Sequence, residues 1–155
     1  MADGLRVDIG GDDIPKALAG AAERLAHPRE LLERIGAVLE ANVNERFRTK
    51  TDPDGNAWLP IAASTRKRYE QQYDGTVPGS LLERTRLMRS SLTHNATDEF
   101  VEVGFPVGYA QWHETGTRRM PRRGLLAGDW VSGRLGAADA ADVLAEVNDY
   151  LAALL

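Results

Sequence analysis

The sequence predicts an α+β fold, in which N-terminal helices and a C-terminal helix pack on a small antiparallel sheet, with long loops between them. Residues 28–47 and 139–154 place apolar residues at helical spacing. Between them, residues 92–96 and 100–104 have the composition of two short strands joined by Thr97-Asp98-Glu99, and the second strand alternates apolar and polar residues. This order of elements is typical of the α+β class: helices come first, paired strands follow, and a helix closes the chain.

The N-terminal part is predicted to contain a short strand and two helices. Residues 5–9 alternate apolar and polar and should end at Gly10-Gly11. Asp12 or Asp13 can cap a first helix that runs to about Ala26. A second helix should begin at Pro28, with an apolar face made of Leu31, Leu32, Ile35, Val38, Leu39, Val43 and Phe47.

Two long loops, about 48–63 and 105–136, are predicted to flank the middle of the chain. Asp52-Pro53-Asp54-Gly55 has the chemistry of a tight turn. Ser64 should cap a short polar helix, and residues 81–91 should form one or two helical turns. Loops of this length in a small domain are usually functional or order when a partner binds.

Burial can be predicted for two of the later helical segments. In residues 81–91 the inward side chains should be Leu82, Leu87 and Met88. In the final helix, residues 139–154, they should be Val143, Leu144, Val147, Tyr150, Leu151 and Leu154.

Length and composition indicate one globular domain over residues 1–155. The absence of cysteine excludes disulfides, thiolate metal sites and cysteine nucleophiles. The first residues lack the basic and apolar regions of a signal peptide, so synthesis in the cytoplasm is expected. No stretch approaches the roughly 18 apolar residues of a membrane span, so no membrane partner is expected.

The net charge of -4 conceals an uneven distribution. Residues 1–41 carry 5 basic and 8 acidic groups, residues 42–123 carry 13 and 10, and residues 124–155 carry 1 and 5. Acidic ends and a basic middle suit subunits that associate through complementary patches. Charges scattered over an ordinary solvated surface would give the same counts.

The search for catalytic, cofactor or metal motifs returns no site. Asp52, Asp54 and Asn56 lack the glycine and glutamate spacing of a calcium loop. No serine lies in a nucleophile elbow, and the glycines form no phosphate-binding fingerprint. His113-Glu114 could suggest acid–base chemistry, but no nucleophile or second base lies nearby, and a half-buried packing or interface histidine is the favoured interpretation.

The residues that we select as interface candidates are aromatic or basic and fall in or beside the long loops. Four arginines lie within six residues at 118–123, and three interpretations stay open for them: a solvated loop, a protein-docking loop, or contact with the DNA backbone. Under the docking interpretation, charge reversal at Arg122 and Arg123 should block assembly without unfolding the subunit. The candidates are Trp58, Trp112, His113, Arg118, Arg119, Arg122 and Arg123.

An ordered series of motifs covers roughly residues 28–155. It runs RFRTKTDPDGNAWLPI, then SLLERTRLMRSSL, then VEVGFPVGYAQWHETGTRRMPRRGLLAG. This series resembles the phage virion morphogenesis family, the tail-completion proteins of Mu-like and P2-like phages. The sequence departs from the family pattern where a T-G pair is Thr85-Arg86, and where P-x-R-x-F-L-G is lengthened between Pro121 and Gly128.

The resemblance implies a structural protein of the neck or tail terminus of a virion, acting without a cofactor and without catalysis. Its implied partners are copies of itself in a ring (six first, twelve second), tail-tube and head–tail connector proteins, and DNA that passes through the channel without sequence-specific binding. The alternatives are an assembly factor absent from the finished particle, and an enzyme that acts through His113 and Glu114.

Overall fold

A computed structural model describes residues 13–73, 75 and 81–154 of the chain. These residues form helices and one two-stranded antiparallel sheet, which confirms the α+β prediction. In chain order the elements are α1 (Asp13–Ala26), α2 (Arg29–Thr49), α3 (Ala63–Gln72), α4 (Leu87–Ser90), β1 (Thr93–Ala96), β2 (Val101–Gly104), α5 (Ala110–Thr115) and α6 (Ala137–Ala152).

The N-terminal prediction is confirmed for its two helices. α1 runs from Asp13 to Ala26, and α2 follows directly after Pro28. The strand predicted at residues 5–9, its Gly10-Gly11 end and the Asp12 cap lie outside the described residues. Leu18 and Leu25, on the apolar face of α1, are more than half exposed, so the described part of the chain does not cover that face.

Helix α2 is the element on which the others assemble, since it packs against α6, β1 and β2. Its approach to the sheet is close at Gly36. A Cβ there would lie 2.5 Å from Cδ2 of His94, so glycine permits the contact. Farther along α2, Val43 and Phe47 enter the core, as their spacing predicts.

Phe47 is the centre of the core. Its side chain is fully buried, and it makes edge-to-face ring contacts with Trp58 and Phe105 at centroid distances of 6.1 and 6.2 Å. Pairs of this geometry stabilise a core beyond their buried area. The buried cluster around Phe47 comprises Val43, Trp58, Met88, Leu92, Ala110 and Leu125.

The sheet and the tight turn form as predicted. β1 and β2 pair antiparallel with Thr93 opposite Gly104 and Ala96 opposite Val101. In the turn, the Gly55 backbone N–H donates to the carbonyl of Asp52 over 3.0 Å, and Gly55 has a φ of 86°. Positive φ is the conformation for which glycine was expected there.

Three local predictions are wrong. Residues 105–136 are not wholly irregular, because they contain α5, a helix too short to show a periodic pattern. Ser64 does not cap α3: the helix begins at Ala63, and Ala62 precedes it without a side-chain cap. Leu87 is 53% exposed, whereas Met88 beside it is buried as expected.

The inner face of α6 is narrower than predicted. Tyr150 is buried, and Val143, Val147 and Leu154 are partly buried. Leu144 and Leu151 are exposed instead, because α6 packs chiefly against α2 and one helix neighbour covers only a narrow stripe.

Candidate functional site

The loop after α5 carries most of the predicted interface residues, and the structure divides them into internal and exposed groups. Trp58 is internal. It is 7% exposed, and its Nε1–H donates to the carbonyl of Gly124 over 3.2 Å. A tryptophan that is buried and hydrogen-bonded in this way ties the 51–58 loop to residues 122–128 of the same subunit.

Arg123 is also internal. It is 4% exposed; its Nε–H donates to the carbonyl of Leu59 over 2.8 Å and its Nη2 to that of Pro60 over 3.0 Å. Its backbone N–H donates to the carbonyl of His113 over 2.8 Å. Burial lowers the pKa of Arg123. The guanidinium therefore holds the 58–60 segment against the end of α5.

Arg122 bonds within the subunit as well. Its Nε–H donates to the Glu114 carbonyl over 2.8 Å, and its Nη2 donates to the Glu114 carboxylate over 3.2 Å and to the Ala127 carbonyl. Reversing the charge at Arg122 and Arg123 would therefore damage the subunit itself. These internal hydrogen bonds argue against the expectation that the double change leaves a folded monomer.

Glu114 organises this region, a role that neither its residue type nor its spacing predicts. It is 3% exposed, and its carboxylate accepts from the backbone N–H groups of Leu125, Leu126 and Ala127 over 2.7, 3.1 and 3.0 Å. With Arg122 these donors engage both carboxylate oxygens. We call this arrangement, Glu114 with residues 122–127, the Glu114 clasp. A buried carboxylate with all these bonds serves structure, so it offers no support for acid–base catalysis.

His113 lies beside the clasp and is half-buried. Its ring meets that of Tyr109 edge-to-face at 6.4 Å, and its Nδ1 is buried without a hydrogen-bond partner in the described part of the chain. Burial lowers the pKa of His113, and the positive charge of Arg123 lowers it further. The packing interpretation fits this geometry, since the neutral ring is the favoured form.

Arg118 and Arg119 form the exposed group. They are the two central residues of a tight turn closed by Thr117 and Met120, whose backbone N–H and carbonyl groups bond to each other over 2.8 and 3.2 Å. Both arginines are exposed. We call residues 117–120 the Arg turn.

Apolar side chains also reach the surface in this part of the molecule. Trp112 on α5 is 53% exposed, and Trp130 and Val131, at a turn closed by Asp129 and Arg134, are 50% and 94% exposed. Val131 N–H and the Ser132 hydroxyl donate to Asp129, and these two bonds lower the pKa of its carboxyl. The turn is thus held by its own bonds while its apolar tip faces solvent.

A groove of about 420 Å³ lies between α2, the 51–55 turn and the first turns of α6. The turn and α6 meet closely there, since a Cβ on Gly136 would lie 2.1 Å from the carbonyl oxygen of Pro53. We call this the acidic groove because its lining includes Glu45, Asp52, Asp54, Asp139 and Asp142.

A buried ion pair joins α2 to α6 at the floor of the groove. Oδ1 of the fully buried Asp139 accepts from Arg46 and, over 3.0 Å, from Asn42. Arg46 donates a further bond to the Leu125 carbonyl over 2.7 Å. The one signal that could have revealed the pair is the position of Arg46 within the apolar face of α2, directly before Phe47.

Neither a metal site nor a membrane segment is found among the residues that the structure describes. No group of three or more histidine, aspartate or glutamate side chains there could hold a metal ion. None of the helices in those ranges is long and apolar enough to cross a membrane.

Comparison with known proteins gives one match. The model of the phage virion morphogenesis family matches residues 10–149. No curated protein and no solved structure matches the chain.

Proposed function

Since the chain belongs to the phage virion morphogenesis family, we propose that it is a structural subunit of the neck or tail terminus. In this proposal it completes the tail and helps to join the tail to the head as one member of a ring. The family match over residues 10–149 is the observation that carries the proposal, and it already implies a role in building the phage particle.

The distribution of exposed apolar side chains supports an assembly role. The apolar face of α1, the outer leucines of α6 and the tip at Trp130 and Val131 are all exposed in the isolated subunit. Where such side chains adjoin, as Trp130 and Val131 do, they are suited to contact with another protein. A ring subunit needs at least two such surfaces, because each copy has a neighbour on either side.

The chemistry of the Y-A-x-x-H and P-x-R segments, residues 109–113 and 121–123, supports the same proposal. Arg122 donates to Glu114, Glu114 accepts from the backbone of residues 125–127, and Arg123 donates to the carbonyls of Leu59 and Pro60. These bonds lie within the subunit, so the three residues shape the loop region. The Arg turn and Trp112 remain exposed beside the Glu114 clasp, so they are candidates for contact with other virion proteins.

Electron microscopy of a lysate tests the role directly. A phage with a stop codon early in this gene should give DNA-filled heads and separate tails. Abnormally long or ragged tails would specify tail termination. Normal joined particles would contradict the proposal and would favour the enzyme hypothesis.

Mass spectrometry of purified wild-type particles tests residence in the virion. A ring predicts about six or about twelve copies per particle, to match the symmetry of a tail. Absence from particles, together with unjoined heads and tails in the stop-codon phage, would instead identify a non-virion assembly factor.

A further inference from the structure

Two cations at the tip of the Arg turn have no partner in the described part of the subunit. Neither the Arg118 nor the Arg119 side chain makes a hydrogen bond or ion pair there, whereas Arg122 and Arg123 of the same cluster are hydrogen-bonded inside the subunit. Arg118 and Arg119 are both exposed at the centre of the same closed turn. A planar guanidinium is well suited to a carboxylate partner, which it can bind through two parallel hydrogen bonds.

The lining of the acidic groove contains more carboxylates than cations. Three of its carboxylates are paired with arginines: Glu45 with Arg48, Asp54 with Arg134 and Asp139 with Arg46.

Among the described residues, Asp52 and Asp142 accept only from neutral donors. The donors to Asp52 are the Asp54 and Asn56 backbone N–H groups and the Asn56 amide, and the donor to Asp142 is the Asn42 amide, at 2.7 Å. In addition, Oδ2 of the buried Asp139 accepts no bond from any described residue. Within the described part of the chain the groove therefore has two carboxylates that no cation pairs, whereas Oδ2 of Asp139 is buried and out of reach of a docking partner.

We propose that the Arg turn of one copy docks in the acidic groove of the next copy. This inference rests on the proposed function, because it assigns the contact that would link the subunits of the ring. Two unpartnered guanidiniums meet two unpaired carboxylates, which is the complementarity that fixes register between proteins. Since the two surfaces are different parts of one chain, the contact is head-to-tail and can close a ring.

DNA is the other chemical class that the Arg turn could bind, and the observations favour protein. The chain is acidic overall, with a net charge of -4. Two free guanidiniums are also few for a surface that binds DNA, which commonly contacts several phosphates. The acidic groove on the same chain offers partners of the right charge and number.

Cross-linking tests the contact without altering its charges. The chain has no cysteine, so Thr117→Cys with Ala138→Cys introduces one thiol beside the Arg turn and one in the groove. A short bis-maleimide should convert this variant, in particles and as concentrated purified protein, into a ladder of covalent multimers that ends at the ring size. The matched control, Thr117→Cys with Ser64→Cys on α3, should remain monomeric.

Charge exchange provides a second test, by complementation of the stop-codon phage. Arg118→Glu/Arg119→Glu puts acidic turns against acidic grooves. Asp52 is left unchanged because its carboxylate holds the backbone of its own turn, so Asp142 is changed together with the exposed lining residue Glu45. Glu45→Lys/Asp142→Lys then puts basic turns against basic grooves. Each variant alone should reduce joined particles at least about ten-fold, because like charges in an interface are costly. Expressed together they should restore joining, since every contact then pairs opposite charges in an alternating ring. Arg66→Glu/Lys67→Glu on α3 is the matched control and should behave as wild type.

Each remaining outcome overturns the inference in a recognisable way. Normal joining of heads and tails by the Arg118→Glu/Arg119→Glu variant would exclude the Arg turn as a contact between copies. Loss of joining without rescue by the second variant would favour contact with DNA phosphates. Cross-linked product that stops at the dimer would exclude a head-to-tail ring. If the stop-codon phage gave normally joined heads and tails, the proposed function would fail. The ladder of cross-linked multimers in purified protein would then be the remaining test of the contact between the Arg turn and the acidic groove.

Discussion

At the residue scale, Glu114 determines the conformation of the loop that carries the Arg turn. Glu114→Gln keeps the shape of the side chain but turns an amide donor toward backbone N–H groups that need an acceptor. We expect a loss of about 1–3 kcal/mol in the free energy of unfolding, the cost of leaving a buried donor unsatisfied. Urea denaturation measures this loss.

Glu99→Gln is the matched control for that change. Glu99 is exposed in the connection between β1 and β2, so its substitution should leave the free energy of unfolding within about 0.5 kcal/mol of wild type. Equal stability of the two variants would show that the Glu114 clasp does not stabilise the fold.

His113 should make stability depend on pH in the acid range. Its pKa in the folded state lies below the ordinary value of 6.5, so the unfolded chain binds the proton more readily. The free energy of unfolding should therefore be fully retained above about pH 6.5 and should fall as the pH drops toward the folded-state pKa.

Denaturation of His113→Gln and His27→Gln at about pH 7.5 and about pH 5.5 measures this effect. The acid-induced loss of stability should be smaller in His113→Gln than in wild type. It should be unchanged in His27→Gln, whose side chain is 70% exposed. An identical acid loss in all three proteins would exclude His113 as its source.

Sequence reasoning reached these residues only in part. It singled out His113 as half-buried and the arginine cluster as unusual, but it could not separate the exposed Arg118 and Arg119 from the internal Arg122 and Arg123. The separation depends on partners distant in the chain: Glu114 binds Arg122, and the carbonyls of Leu59 and Pro60 bind Arg123. Glu114 is itself held by backbone groups 11 to 13 residues farther along the chain. Such bonds have no signature in residue type or spacing.

At the scale of elements, the Arg46–Asp139 pair joins α2 to α6. Removing one member of a buried pair leaves the other charge uncompensated, so Asp139→Ala should cost about 3–5 kcal/mol in the free energy of unfolding. Asp149→Ala, an exposed change of the same type on the same helix, should cost less than about 0.5 kcal/mol. Similar thermal unfolding of the two variants would contradict the role assigned to the pair.

Long periodic elements were predictable, and short ones were not. α2 and α6 show enough apolar repeats to locate them, and the alternation in residues 100–104 located β2. α5 has six residues and no side-chain cap, so tertiary contacts of Ala110 and Glu114 determine it more than local preference does. The outward leucines of α6 were misassigned because spacing shows which residues share a face, while the neighbours determine how much of that face is covered.

At the scale of the whole molecule, the apolar face of α1, which the described part of the chain does not cover, bears on assembly. Leu18→Lys with Leu25→Lys replaces two exposed side chains, so the melting temperature should stay close to that of wild type. If this face contacts other virion subunits, as the proposed function requires of some apolar surface, incorporation into particles should fall at least about ten-fold. The matched control is Glu23→Lys with Ala26→Lys, at exposed polar or small positions of α1.

Quantitative immunoblotting of purified particles measures incorporation of these variants. Normal incorporation of the Leu18→Lys/Leu25→Lys variant at an unchanged melting temperature would show that this face plays no part in assembly. A large drop in melting temperature would instead show that the leucines stabilise the subunit.

The Glu114 clasp has a consequence for the entropy of association. The long loop at residues 105–136 was expected to order on contact with a partner, yet in the isolated subunit its backbone is already held by Glu114, Arg122 and Arg123. A preorganised loop loses little conformational freedom on docking, which otherwise costs about 0.5–1.5 kcal/mol for each immobilised side chain. Successive copies can then add to a growing ring as nearly rigid bodies, each presenting the same shape to the next.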